Sequence, residues 1–320
     1  MIGIISAGLA WVLDLILGDP YTWPHPVKLI GNYISFFQKK WLSQTDLTAK
    51  QKKIRGGLLF ITTVGLTAIV TWLVIWLAGF IHKGVQIAVI VYISYTTLAT
   101  KSLAVEGEKI YQTLTTGSLE DARQQVGMIV GRETSQLTEE EIIHATIETV
   151  AENTADGVVA PLFFLLIGGP VLAMSYKAVN TLDSMVGYVT PKYKEVGLVS
   201  AKMDDWWNFI PARLTMFFMI IGSWLLRLDS RQALTIGWRD RLNHKSPNSG
   251  YSEAVAAGAL GIQLGGSHVY HGVEVSKPFI GDDLRPADAQ DIIRMNHLLF
   301  VTSLVSLVCL SALKWLWIMR

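Results

Sequence analysis

Three clusters of acids and amides stand out in a chain of 320 residues, 51% of them apolar. Glu148, Glu152 and Asp156 recur every four positions, with Asn153 among them, so a helix through this segment sets the carboxylates on one face. Asn180, Asp183 and Ser184 share i, i+3, i+4 spacing. Asp204, Asp205 and Asn208 form the third cluster, with Arg213 further along. Hard oxygen donors of this kind suit Mg2+, which is usually held by one or two carboxylates plus substrate phosphates and water. Arginine and lysine then balance the phosphate charge left over. Lys101, Arg123, Arg132, Lys177, Arg213, Arg239 and Lys245 are the candidates.

Several common catalytic signatures are missing. Gly79 and Gly84 have the glycine spacing of a phosphate-binding loop, but Val85 follows where Lys is required. There is no nucleophile elbow, no His-Glu-x-x-His and no Gly-x-Gly-x-x-Gly. The single cysteine, Cys309, excludes a disulfide framework and a cysteine metal site. A net charge of +1 argues against nucleic acid as a partner.

Simpler readings compete at each cluster. Glu148 by itself reads as a solvated helix face, and Asp204-Asp205 equally as the cap of the apolar helix that follows. Asn180 and Asp183 border an apolar stretch, where unpaired polar groups are costly, and so read as functional. His25, in a proline-rich segment, reads as part of a rigid turn. Residues 239–250 mix cations with turn formers, as an exposed basic loop or an anion-binding one. Gly258, Gly261, Gly265 and Gly266 suit close helix packing, and the tryptophans suit interfacial belts.

The elements that must position these residues are those of a membrane protein. Mean hydropathy is +0.37, with 17% charged residues. Residues 57–81, 84–99 and 297–317 are long apolar runs, the first two joined through His82-Lys83 as a helical hairpin. Residues 2–17 make a shorter run broken by Asp14. With no basic leader and with Gly18-Asp19-Pro20 after it, this run reads as a retained helix rather than a signal peptide. Seven Lys and Arg between 19 and 56, against Asp19 and Asp46, place that segment in the cytoplasm, with 101 onward on the same side.

Residues 101–157 read as cytoplasmic helices, with Ser118 and Ser135 or Thr138 as caps and Glu139, Glu140 and Glu141 at a helix N-terminus. The apolar stretch 158–179 is interrupted by Pro161, Gly168, Gly169 and Pro170. A re-entrant hairpin turning at Gly168-Gly169-Pro170 returns the flanking clusters to one face, and is preferred to a full crossing. Beyond it the charge rule conflicts with a crossing at 209–226, unless that run is re-entrant or 254–266 brings the chain back. The expected fold is all-α: one domain, a polytopic integral membrane protein with broken or re-entrant helices and cytoplasmic helical segments.

The polar motifs also form an ordered series. Gly18-Asp19-Pro20 precedes His25-Pro26-Val27 and Gly31; then come Ala104-Val105-Glu106-Gly107 and Val130-Gly131-Arg132-Glu133-Thr134. Glu148-Thr149-Val150-Ala151-Glu152-Asn153, Asp156-Gly157 and Ala160-Pro161-Leu162 follow. The series continues with Tyr176–Tyr188, Asp204-Asp205 with Asn208, and Pro211-Ala212-Arg213-Leu214. It closes with Arg239-Asp240, His244–Gly250 and Leu264-Gly265-Gly266. This order resembles the CobD/CbiB family of cobalamin biosynthesis, the integral-membrane adenosylcobinamide-phosphate synthases, from Gly18 to about Gly281. Glu133 stands where aspartate is expected, and keeps the charge.

The resemblance implies an ATP-dependent ligase in the cell membrane, its site facing the cytoplasm. It would join a propionate carboxylate of adenosylcobyric acid to the amine of (R)-1-amino-2-propanol phosphate. Its partners would be these substrates, the lipid bilayer, and copies of itself or other late cobalamin-pathway enzymes. A carboxylate is a poor electrophile, so the usual route runs through an acyl phosphate and needs Mg2+, phosphate clamps and positioning. On chemical grounds Glu152, Asp156 and Asp183, with Asp204 and Asp205, would serve Mg2+ or ATP. Asn153 and Asn180 would orient substrate, and Arg132, Lys177, Arg213 and Lys245 would hold phosphates. Glu148 or His244 would deprotonate the amine. Trp206, Trp207 and Tyr188 would offer the corrinoid an apolar platform. A membrane transporter, and an inner-membrane sensor of the group associated with beta-lactamase regulation, are the alternatives.

Overall fold

The computed structural model describes residues 2–20, 23, 25–42, 47–188, 193–270 and 273–320. Tyr21, Thr22 and Pro24 of the proline-rich motif lie outside the described residues. Helices dominate: α1 (Ile2–Leu17), α2 (Pro26–Phe37), α3 (Ala49–Ile81), α4 (Lys83–Tyr95), α5 (Thr100–Thr116) and α6 (Leu119–Gly127). After α7 (Glu139–Thr154) a π-helical turn, Ala155–Val159, leads into α8 (Ala160–Val186). Then come α9 (Leu198–Leu225), α10 (Ser230–Asp240), α11 (Ser249–Leu260) and α12 (Gln290–Ile318). Among the described residues the exception to an all-α fold is one antiparallel hairpin, β1 (Leu264–Tyr270) with β2 (Val273–Ile280). Among the described residues five helical stretches are long and apolar enough to cross a membrane, as a polytopic membrane protein requires.

Local chemistry sets the boundaries. Pro26 opens α2, where its missing N–H costs nothing, and His25 Nδ1 accepts the Val27 N–H at 3.3 Å. Thr48 and Gln51 form a reciprocal cap, so α3 starts at Ala49, before the apolar run proper. His82 ends α3 and caps α4, accepting the Gly84 N–H at 3.0 Å, which is the turn expected at His82-Lys83. Thr138 and Glu141 cap α7 in the same reciprocal way.

Two expectations about single elements are corrected. α9 begins at Leu198, so Asp204 and Asp205 lie inside it rather than capping it. α11 is completely buried and ends at Gly261 in a left-handed conformation, before the β-hairpin. Its 12 residues span only about 18 Å, against an apolar bilayer core of about 30 Å. The 254–266 stretch is therefore the end of a core helix followed by the start of β1, and does not return the chain across a membrane.

By contacts the chain divides into two compact units. The first comprises 1–99, 160–208 and 310–320; the second comprises 100–159 and 209–309. The helices at 101–157 thus belong to a unit that residues 209–309 complete. In the first unit α2, α3 and α8 enclose a core of Ile30, Ile34, Leu59, Ala178, Leu182 and Val186.

The stretch α8 is interrupted at Gly169, which takes φ 70° and ψ −167°. Left-handed backbone of this kind is open to glycine and strained for other residues. The rings of Phe164 and Tyr176 stack at 5.0 Å, and both lie against Trp207. A straight helix would hold α-carbons twelve residues apart by about 18 Å. The helix therefore turns back at Gly169, at the break anticipated in the sequence. Pro170 has no N–H to offer Leu166 O four residues back. Lys314 Nζ donates to that carbonyl instead, at 2.5 Å.

Replacing Lys314 with Met strands a carbonyl in an apolar setting, at a cost of about 1–3 kcal/mol. Thermal unfolding of the detergent-solubilised protein should show a lower midpoint for Lys314→Met and one near wild type for Lys314→Arg.

Candidate functional site

The second unit holds a small, almost wholly polar cavity of about 140 Å³. α7 contributes Glu148, Glu152 and Asn153, α11 contributes Glu253, and β2 contributes Lys277, with Arg132 from the loop before α7. Arg132 Nη2 donates to Glu148 Oε2, and neither side chain is more than 7% exposed. Glu148 Oε1 accepts the Gly265 N–H at 2.9 Å. Gly265 has φ +84°, and a Cβ there would come within 2.4 Å of Pro278 O, so only glycine delivers its N–H in this way. Glu148 is thus a buried anchor rather than a solvated face. With both oxygens committed to donors, it is poorly placed to act as a base.

Glu152 Oε1 accepts from Ser249 Oγ at 2.8 Å, at the first residue of α11. Asn153 Nδ2 donates to Thr149 O at 2.9 Å. His244 Nδ1 accepts the Ser246 N–H at 3.0 Å, which places the proton of the neutral ring on Nε2. His244 Nε2 lies 3.4 Å from Lys277 Nζ and 3.9 Å from Glu253 Oε1. Burial and the Lys277 charge push the His244 pKa down, so the ring is neutral at pH 7. Burial, with Glu148 and Glu152 nearby, raises Glu253 well above the usual carboxylate range.

Arg132, Glu148, Glu152, Asn153 and His244 are therefore brought together as a group. Other candidates are not. The π-helical turn shifts the helix phase after Thr154, and Asp156 does not line the cavity. Arg213 stacks over Phe209 at 3.5 Å and Tyr251 at 4.4 Å and donates to Asn248 Oδ1 at 3.2 Å, so its guanidinium braces the start of α11. Lys245 is exposed beside the inward His244.

Lys101, Arg123 and Arg239 belong to the second unit but do not line the cavity: Arg123 donates to Leu137 O at 2.8 Å, and Arg239 pairs with Asp240 and Asp282 at 2.7 and 2.9 Å. The other candidates lie in the first unit. Tyr176 Oη donates to Asn208 Oδ1 at 2.8 Å, and Asn208 Nδ2 donates to Asp204 Oδ2 at 3.0 Å. Asn180 and Asp183 of α8 approach the same carboxylate. Asp204 is buried, and its Oδ1 has no hydrogen bond. Asp205, the next residue, is half-buried and turned by about 100° on the helix. Among the described residues no three His, Cys, Asp or Glu side chains converge as a metal site. An unsatisfied buried carboxylate oxygen beside a second acid and an amide fits Mg2+, which recruits phosphate and water to finish its shell. Lys177 lines a separate cavity of about 270 Å³ with Asp19, His25, Lys28 and Thr96, where His25 Nε2 meets Asp19 Oδ1 at 3.2 Å.

Glu253 and Lys277 were not singled out from sequence. Glu253 had a signal: it is the sole charged residue between 249 and 266. Lys277 had none, because the hairpin that carries it inward was not foreseen. The proposed tryptophan platform does not form one surface. Trp206 is exposed, whereas Trp207 packs on Phe164 at 4.9 Å.

Arg132→Met leaves Glu148 buried and unpaired, and should cost about 3–5 kcal/mol in stability, much of it recovered in Arg132→Met/Glu148→Met. Thermal unfolding of the three variants tests this. A second test concerns pH. Glu253 keeps its proton in the folded state but loses it on unfolding above its ordinary pKa. The unfolded state then binds fewer protons, and stability falls as pH rises. Glu253→Gln removes that penalty, so its midpoint relative to wild type should climb from pH 5 to pH 8.

Comparison with known proteins gives a consistent result. The family model described as CobD/Cbib protein matches residues 7–299. Cobalamin biosynthesis protein CobD of Streptococcus sanguinis is 56% identical over 307 residues, 95% of each chain. The protein of the same name from Listeria monocytogenes serotype 4b is 54% identical over 307 residues, covering 95% of this chain and 96% of its own. Cobalamin biosynthesis protein CbiB of Salmonella typhimurium is 49% identical over 311 residues, 97% of each. No solved structure matches.

Proposed function

Because the chain belongs to the CobD/CbiB family and so serves cobalamin biosynthesis, we propose that it is an ATP-dependent ligase of that pathway. It joins a propionate carboxylate of adenosylcobyric acid to the amine of (R)-1-amino-2-propanol phosphate. The observation that carries this reading is the buried carboxylate and cation chemistry within a polytopic helical protein: Arg132, Glu148, Glu152, His244 and Lys277 in one unit, Asp183 and Asp204 in the other.

The reaction balances without a protein nucleophile. A substrate carboxylate oxygen attacks the γ-phosphorus of ATP, breaking its bond to the bridging oxygen and releasing ADP. The amine nitrogen then attacks the acyl carbon; inorganic phosphate leaves and the nitrogen gives up a proton. Neither base expected from the sequence keeps a free lone pair: Glu148 has both oxygens held, and His244 has Nδ1 on the Ser246 N–H and its own proton on Nε2. The departing phosphate therefore takes the proton. Glu152 and Asp183 position magnesium nucleotide or substrate within their own units. Bound Mg2+ would neutralise phosphate charge, and Asp183 with the unsatisfied Asp204 Oδ1 are the donors suited to hold it. On the charge rule the Lys- and Arg-rich segment 19–56, which runs into the first turns of α3, faces the cytoplasm, where ATP is found.

Purified protein with ATP, Mg2+, adenosylcobyric acid and aminopropanol phosphate should yield amide and ADP in equal amounts, and EDTA should stop both. Well-folded protein that makes no amide would point to transport or sensing instead. Asp183→Ala and Glu152→Ala should each lower amide formation by roughly 100-fold or more, with membrane insertion unchanged. Near-normal turnover in either would remove that residue from the mechanism.

A further inference from the structure

The polar cavity of the second unit carries an uneven set of charges. Arg132 and Lys277 supply two cations, whereas Glu148, Glu152 and Glu253 supply three carboxyl groups. His244, at 3.9 Å from Glu253, is neutral. Fully ionised, the set is one negative charge in excess, and buried charge without a counterpart is expensive. Two things can restore balance: a proton on one carboxyl, or one more cation.

The hydrogen bonds show which carboxyl is open. Glu148 is taken by Arg132 and the Gly265 N–H, and Glu152 accepts from Ser249. Glu253 lines the cavity, is 4% exposed, and makes no hydrogen bond among the described residues. It is a buried carboxyl on polar space, and His244 Nε2, at 3.9 Å, lies beyond hydrogen-bond distance. At about 140 Å³ the cavity admits the end of a short polar chain and excludes a corrin ring.

We propose that this cavity is the binding subsite for a primary ammonium group, which docks against Glu253 as that carboxyl gives its proton to solvent. One positive charge enters and one proton leaves, so the charge of the cavity is unchanged. In the absence of a cation, burial and the flanking Glu148 and Glu152 disfavour the ionised form of Glu253 and raise it well above the usual carboxylate range. Naming the ligand as the amino-alcohol phosphate rests on the ligase reading; the demand for a small organic cation does not.

Titration calorimetry on the solubilised full-length protein tests this with two ligands, 1-amino-2-propanol phosphate and the amine-free 1,2-propanediol phosphate. Measurement in buffers of different ionisation enthalpy counts the protons exchanged. At pH 7 the wild type should release close to one more proton with the amine than with the diol. Its amine affinity should fall about tenfold for each pH unit lowered, as protons compete for Glu253. Glu253→Gln should lose the extra proton and at least tenfold in amine affinity while binding the diol as before. Glu253→Asp, which keeps the charge, should retain the preference for the amine and serves if the Gln variant does not fold.

Wild-type amine affinity in Glu253→Gln, or equal proton release with both ligands, overturns the proposal. Amide synthesis by wild type alongside unimpaired amine binding by Glu253→Gln would remove the subsite and leave the ligase reading. Proton-coupled amine binding without amide synthesis would do the reverse.

Discussion

A charge or backbone polar atom withdrawn from water must find a partner inside the protein, and much of this structure answers that demand. Arg132 and Glu148 illustrate it most fully. Each would be prohibitive to bury alone, and together they still need the Gly265 N–H to complete the carboxylate's shell. That requirement ties the loop before α7, α7 itself and the β-hairpin to one point. It explains why a mainly helical chain keeps a two-stranded hairpin, whose glycine N–H reaches where a bulkier residue would collide with Pro278 O.

The same demand operates on the backbone of the first unit. Turning α8 back at Gly169 releases a carbonyl in an apolar region, and a lysine ammonium from α12 meets it. The turn in exchange lets Phe164 and Tyr176 stack with Trp207 and sets Tyr176 against Asn208. Asn208 in turn holds Asp204. A glycine with φ +70° thereby fixes the surroundings of an acid 35 positions later.

Much of this was legible in the residues. The hairpin through His82-Lys83, the break at Gly168-Gly169-Pro170 and the cap at Thr138 are local events, written in hydropathy, glycine, proline and capping chemistry. Glu148 and Glu152 were recognisable by their spacing, and joint motif order identified the family. What escaped depends on tertiary placement. Arg213 looked like a phosphate clamp because sequence gives its charge but not the aromatic rings that flank it. Asp156 had the right spacing for the face of Glu148 and Glu152 until a π-helical turn changed the phase. Lys277 was invisible because its role depends on strand pairing, and α11 was misread because its composition is equally that of a buried core helix.

The link between Lys314 and Leu166 spans 148 residues and reaches almost to the end of the chain. During synthesis the broken helix emerges long before the lysine that completes it. At about 5–20 residues per second, the interval is roughly 7–30 s. Through that time the Leu166 carbonyl has only lipid, water or the insertion machinery for company. The first unit can therefore be inserted early but closed only when the last helix arrives, which makes the C-terminal segment the latch of the fold. A chain cut short before Lys314 would retain every acid and cation of the candidate sites and still lack the group that locks the reversal behind them.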